Sequence, residues 1–276
     1  MTFLTMIKKV VVWVVIILVA VQVLVGAFFY FFQFRLLFQA TSLPRSYVFE
    51  FDQPFEEVFI KAGKSQIHGL YFKSQARKGC VVYFHGNADN LSRWGTIAPD
   101  FTEKGFDLLI VDYPTFGKST GALNQNSLLE MGRKVYGYAL KFYPQEKIVL
   151  YGRSMGTGIA SKVAAENNPK LVILETPYLN IKELVDHHAP RFTPTSLILR
   201  LSLNNKENVK KIKAPVYIFH GTEDEIIPFN QAEELARYLK ETDRFIIIKG
   251  GTHRNLNDYP QFHEELKNAL SLIPSR

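Results

Sequence analysis

The chain has 276 residues, 47% of them hydrophobic and 21% charged, enough apolar content to bury one large core and too little polarity for a disordered chain. Its net charge is +7, but Lys8, Lys9, Arg35 and Arg45 all precede the first acidic residue, Glu50; the remaining +3 makes no case for nucleic-acid binding. A single cysteine, Cys80, excludes an internal disulfide, and its place at the start of an apolar run suits burial.

Residues 1–9 form a short basic segment. Residues 10–32 are a run in which Gln22 is the one strongly polar side chain, long enough as a helix to cross the hydrocarbon core of a bilayer. A cleaved secretory leader has a shorter apolar region and a small-residue cleavage site, so the run reads as an uncleaved signal anchor. Phe28, Phe29, Tyr30, Phe31, Phe32 and Phe34 gather at its far end, as aromatic rings do at an interface. Lys8 and Lys9 ahead of the span favour a cytoplasmic N-terminus, which puts the rest of the single-pass chain outside the cytoplasm, in the periplasm if the source is bacterial. Residues 33–46 read as a linker and 47–276 as one domain.

Within that domain the spacing predicts strands at 47–51, 55–60 and 66–73, the last two joined through Ala62-Gly63-Lys64-Ser65 as a hairpin. From Val81 the pattern changes. Strands at 81–84, 107–111, 148–151, 171–174, 216–219 and 245–248 alternate with helices at 90–103, 127–142, 154–167, 230–240 and 261–272, which calls for a parallel sheet with helical crossovers. Residues 178–213 carry Pro190, Pro194 and two short helices, placed as a small lid. There Leu197, Ile198, Leu199, Leu201 and Leu203 suit a pocket wall, a membrane contact or plain core packing.

The run Ile148, Val149, Leu150, Tyr151 ends at Gly152-Arg153-Ser154-Met155-Gly156, and helical spacing follows in Ile159, Ala160, Val163 and Ala164. GxSxG arises by chance in roughly one chain in ten of this length, so the strand before it and the helix after it carry the weight. A turn that lifts Ser154 off the strand crowds its neighbours, and only small residues such as Gly152 and Gly156 fit there. The hydroxyl is then exposed, with the Met155 N–H near the positive end of the following helix.

A serine nucleophile needs a base and a carboxylate to orient that base. Of the seven histidines, only His253 and His263 follow every candidate acid, in the serine–acid–histidine order that α/β-hydrolases with such a serine turn keep. His263 falls inside the last helix, whereas His253 stands on a loop at the C-terminal end of a strand, where doubly wound sheets place their ligands. Glu223, Asp224 and Glu225 crowd the loop after 216–219, and Glu175 ends another strand, so four carboxylates compete for the acid. The loop His85-Gly86-Asn87-Ala88 offers the Asn87 N–H as a partner to that of Met155 in an oxyanion hole, with His85 bracing the loop. His187 and His188 have no spacing that suggests a metal site, and no cofactor is implied.

With these pieces placed, the chain resembles the α/β-hydrolase superfamily, in particular its small-lidded, N-terminally anchored serine hydrolases. The resemblance covers about 67–273 and rests on HGNADN (85–90), DYPTFGKSTG (112–121), GRSMG (152–156), HGTEDEIIP (220–228) and GGTHRNL (250–256). It implies a mostly parallel central sheet with helices on both faces, a small helical lid, Asp224 as the triad acid and His253 as the base. Relatives often show DYRGYGxS where Pro114-Thr115-Phe116 stand here, a change that concerns the pocket wall near Asp112 and not the triad. The group includes carboxylesterases, thioesterases and aminopeptidases, so the implied partners are an acyl ester or thioester, lipid-derived where the anchor holds the site at a bilayer, or an amide. An inactive anchored binding module is the alternative outside catalysis. The sequon Asn90-Leu91-Ser92, beside the oxyanion loop, is expected to carry no glycan.

Overall fold

A computed structural model describes residues 3–189 and 195–274. Its first element is a single helix, α1 (Phe3–Leu37), with a mean hydropathy of 3.0 in its most apolar window and side chains that are largely exposed. It is long and apolar enough to cross a membrane. The helix continues past the expected end of the span, so 33–46 is not a free linker: Gln39–Ala40 pair in parallel with Ala88–Asp89 as soon as the helix ends.

The main sheet has eight strands. β1 (Phe55–Ala62) and β2 (Ser65–Phe72) form an antiparallel hairpin closed by Gly63 at φ 57° and Lys64. β3 (Gly79–Phe84), β4 (Phe106–Val111), β5 (Ile148–Arg153), β6 (Leu171–Glu175), β7 (Val216–Gly221) and β8 (Arg244–Ile248) are mutually parallel. The spatial order is β8-β7-β6-β5-β3-β4-β2-β1, with β2 antiparallel to β4. Such a sheet buries both faces, because each crossover lays a helix on one of them.

Alternate residues of each strand feed opposite cores, as the two-residue period requires. Val82, Phe84, Leu109, Val111, Leu150 and Val172 face one core, which is closed by α2 (Gln125–Ala139) and α3 (Gly156–Glu166) through Leu128, Met131, Val135, Ile159 and Val163. Val81, Tyr83, Leu108, Ile110, Val149 and Tyr151 face the other, closed by Leu91, Trp94 and Phe101 and by α8 (Pro260–Leu270) through Phe262 and Leu266. Cys80 is buried in the first core, and burial pushes its thiol well above the usual range.

Three local expectations change. Residues 47–51 form no strand; their alternating aromatics pack Tyr47, Phe49 and Phe51 onto the second core instead. The expected helix 90–103 is broken into turns at Leu91–Trp94, Gly95–Ile97 and Pro99–Thr102, because Pro99 lacks the N–H that would continue it. Between β6 and β7 lie three short helices among the described residues, α4 (Ile181–His188), α5 (Thr195–Ile198) and α6 (Asn205–Val209), where two were expected. Pro190 and Pro194 lie outside the described residues. The remaining crossover helix is α7 (Phe229–Ala236).

Candidate active site

β5 ends at Arg153 and α3 begins at Gly156, leaving a two-residue turn. Ser154 stands in it at φ 52°, a left-handed conformation that costs a residue bearing a Cβ roughly 1–3 kcal/mol. The surroundings hold it there: its N–H donates to the Glu175 carbonyl at 2.9 Å, and its own carbonyl accepts the Thr157 N–H at 3.0 Å and the Thr157 hydroxyl at 2.6 Å. A Cβ on Gly152 would lie 2.6 Å from the Gly156 carbonyl oxygen, and one on Gly156 would press on the carbonyls of Phe84 and His85. The turn therefore depends on both glycines for close approach of strand, helix and the loop after β3.

Asp224 sits in the loop after β7 and His253 in the loop after β8. Ser154 and His253 are 99 residues apart in sequence, yet the His253 Nε2 lies 3.0 Å from the Ser154 Oγ. Its Nδ1 lies 2.8 Å from Asp224 Oδ2 and 3.1 Å from Oδ1. Asp224 Oδ1 also accepts the N–H groups of Ile226 at 2.9 Å and Ile227 at 2.7 Å. Burial pushes the Asp224 carboxyl upward, but the hydrogen bond and charge of His253, the Ile227 N–H and His220 together hold it below the usual carboxylate range. His220, wholly buried, hydrogen-bonds the Ile227 carbonyl at 3.0 Å, and burial lowers its pKa, keeping it neutral. This is a hydroxyl, an imidazole and a carboxylate in series, able to take the hydroxyl proton and stabilise the imidazolium that results.

The loop after β3 runs beside the serine: a Cβ on Gly86 would lie 3.8 Å from that of Ser154. His85 is fully buried in a stack between Tyr113, 4.3 Å away, and Trp94, 5.5 Å away. Its Nδ1 meets the Gly86 carbonyl at 2.6 Å, and the Tyr113 hydroxyl donates to its backbone carbonyl. Asn87 lies in this loop, and Met155 immediately precedes α3.

Other candidates stand elsewhere. Glu175 is engaged by the Tyr151 hydroxyl at 2.7 Å and by Arg153 at 3.2 Å, and no hydrogen bond joins it to His253 among the described residues. Glu225 Oε2 accepts the His253 backbone N–H at 3.3 Å. His188 bonds the Ile226 carbonyl at 2.7 Å, and His263 the Asn257 carbonyl at 2.7 Å. Sequence reasoning missed Arg153. Its guanidinium pairs with Glu175, donates to the backbone carbonyls of His253 at 3.2 Å and Arg254 at 3.4 Å, and lies over the Trp94 ring. It thereby ties the serine turn to the histidine loop. The available signal was a strand-end arginine facing a strand-end glutamate, since Arg153 and Glu175 are register partners on β5 and β6.

Strand order, the serine turn and the site at the C-terminal rim of the sheet define a class, and the chain belongs to the α/β-hydrolase superfamily. The family described as "alpha/beta hydrolase fold" matches residues 79–192, and "Serine aminopeptidase, S33" matches 182–260. Among its relatives, an uncharacterized protein of Acanthamoeba polyphaga mimivirus is 30% identical over 64% of this chain and 67% of its own length. The lysophosphatidylserine lipase ABHD12 of Xenopus tropicalis is 26% identical over 69% of this chain, although the match spans only 57% of that lipase. An esterase of Pyrococcus furiosus shares the fold, with a TM-score of 0.66 at 15% identity over 85% of this chain and 98% of its own.

Proposed function

We propose that this chain is a membrane-anchored serine hydrolase that cleaves carboxylic esters or thioesters of acyl chains through an acyl-enzyme on Ser154. The observation that carries the reading is the unbroken series from Ser154 Oγ through His253 to Asp224. In this mechanism Ser154 Oγ attacks the acyl carbonyl carbon while its proton passes to His253 Nε2; the Nδ1–H stays bonded to Asp224 and the imidazolium is stabilised in place. The carbonyl oxygen becomes an oxyanion held by the N–H groups of Asn87 and Met155. Each such donor supplies about 3 kcal/mol of transition-state stabilisation. Collapse expels the alcohol or thiol, which takes the proton from His253, and water activated by the same nitrogen then releases the acid.

The apolar α1 and the lipase among the relatives support an acyl substrate drawn from a bilayer. A second reading, a peptidase acting on short aminoacyl amides, is favoured by the serine aminopeptidase match over 182–260. Incubation of the full-length protein with a fluorophosphonate should label Ser154 in the wild type and nothing in Ser154→Ala; a folded wild type that stays unlabelled refutes the nucleophile. A panel running from acetyl to long-chain esters and thioesters, with aminoacyl amides alongside, separates the two substrate readings. Turnover confined to the amides would overturn the ester reading.

A further inference from the structure

We infer that the segment leaving the membrane helix, residues 38–41, positions the oxyanion loop, so that the span's exit is a working part of the site and not only a tether. The inference deepens the serine-hydrolase reading and rests on it. No free chain separates α1 from the domain. The Asn87 side-chain Nδ2 donates to the carbonyl of Leu37, the last residue of α1, at 2.7 Å, and the Gln39 N–H donates to the Asn87 carbonyl at 2.8 Å. Gln39 and Ala40 continue in parallel register with Ala88 and Asp89, and the Asn90 side chain donates to the Thr41 carbonyl at 3.1 Å. Beyond the loop, Gly117 N–H donates to the Thr41 carbonyl at 2.9 Å, and Leu43 N–H returns a bond to the Gly117 carbonyl at 2.8 Å.

Below this ladder Phe38, 2% exposed, stands edge-on to Tyr113 and Phe116 at 6.5 and 6.3 Å. Those rings in turn lie against His85 at 4.3 and 5.5 Å, so the post-helix residue and the bracing histidine share one aromatic cluster. Asp89, at φ 64°, holds a conformation that a non-glycine residue keeps only when its surroundings impose it. Both side chain and carbonyl of Asn87 are thus fixed by residues at the helix exit, which leaves its N–H little freedom to turn. An oxyanion donor works only within about 0.5 Å of its place. Because the oxyanion exists in the transition state and not in the bound substrate, loosening this hold lowers kcat and spares KM.

Gln39→Pro tests the inference in the full-length protein, because proline deletes the N–H that holds the Asn87 carbonyl, and the Gln39 side chain is exposed. Gln39→Ala keeps that N–H and serves as the control. Gln39→Pro should lower kcat, and the affinity of a trifluoromethyl ketone that mimics the tetrahedral adduct, by about 10–100-fold, with KM within about twofold of wild type. Gln39→Ala, which keeps the N–H, should exceed Gln39→Pro by about tenfold or more in kcat and ketone affinity. Full kcat and ketone affinity in Gln39→Pro, or a parallel change of kcat and KM, overturns the inference. Should Gln39→Pro fail to fold, Phe38→Ala carries the same test with Phe38→Leu as the rescue, and unchanged kcat in Phe38→Ala overturns it equally. Failure of the underlying reading is distinct: it would show as a wild type that Ser154→Ala leaves fully active.

Discussion

Asp224 holds a negative charge where water barely reaches, and it is tolerated because both carboxylate oxygens have a donor: two backbone N–H groups on Oδ1 and the His253 imidazole on Oδ2. Its folded pKa is depressed, so the stability it contributes is present above the unfolded carboxylate value of about 3.9 and is lost as the pH falls through the folded one. Asp224→Asn keeps the shape and removes the charge. The amide would also favour the wrong imidazole tautomer, with the proton on Nε2 facing Ser154. We expect kcat to fall by about 10³–10⁴-fold with the fold retained, read by steady-state kinetics and circular dichroism, and a loss below tenfold would deny Asp224 the acid's role. That Ser154 and His253 would meet was legible because each sits at a strand end with glycines near it. Resemblance alone singles out Asp224 among three adjacent carboxylates, since only the folded backbone shows that Asp224 meets the N–H groups of Ile226 and Ile227 and the His253 imidazole. Arg153 escaped because its roles are contacts to backbone carbonyls a hundred residues away, which no spacing rule encodes.

Helices α2 and α3 meet on one face of the sheet, and their outer edge is clamped by Arg133 of α2, bidentate on Glu166 of α3 at 2.7 and 2.8 Å, with Lys162 on the same carboxylate at 3.0 Å. The Arg133 hydrogen bond is the largest cause holding the Glu166 pKa down, from 4.5 to about 2. A depressed carboxyl stabilises above its unfolded pKa, so the contribution is full above pH 4.5 and fades as the pH falls toward 2. The pair is partly exposed and screened by solvent, so Arg133→Ala should cost about 0.5–1 kcal/mol at pH 7 by urea denaturation and almost nothing near pH 2. An equal deficit at both pH values would assign the loss to packing. At this scale the parallel strands were the most legible feature, because short apolar runs bounded by turn residues have few other homes. Residues 47–51 misled because aromatic alternation describes a strand and also a chain whose rings lie on a core, as Phe49 does on His68 at 5.4 Å. The third short helix between β6 and β7 starts from Asn204, whose side chain caps the Glu207 N–H; an asparagine pair reads as a turn until that cap is seen.

For the molecule as a whole, α1 runs into the hydrolase fold without a break, so a bilayer crossed by this helix would lie close to the site. We propose that Lys8 and Lys9 ahead of the helix keep the N-terminus cytoplasmic, which would place the sheet and its site on the far side. The sequon at Asn90 reports nothing on this point from either compartment. Its side chain is 3% exposed, accepts the Ser92 N–H at 2.8 Å and donates to Thr41, so a folded chain has no room to receive a glycan there. Thiol labelling does report it, because Cys80 is 1% exposed in the core and stays silent. Lys64 sits exposed at the tip of the β1–β2 hairpin, well apart from the serine turn in the sheet order. Lys64→Cys in the full-length chain should therefore react with a membrane-impermeant maleimide on intact spheroplasts or cells, and Lys64 in the wild type should give no signal before or after lysis. Labelling of Lys64→Cys only once the cells are opened would reverse the orientation and place the site on the cytoplasmic side.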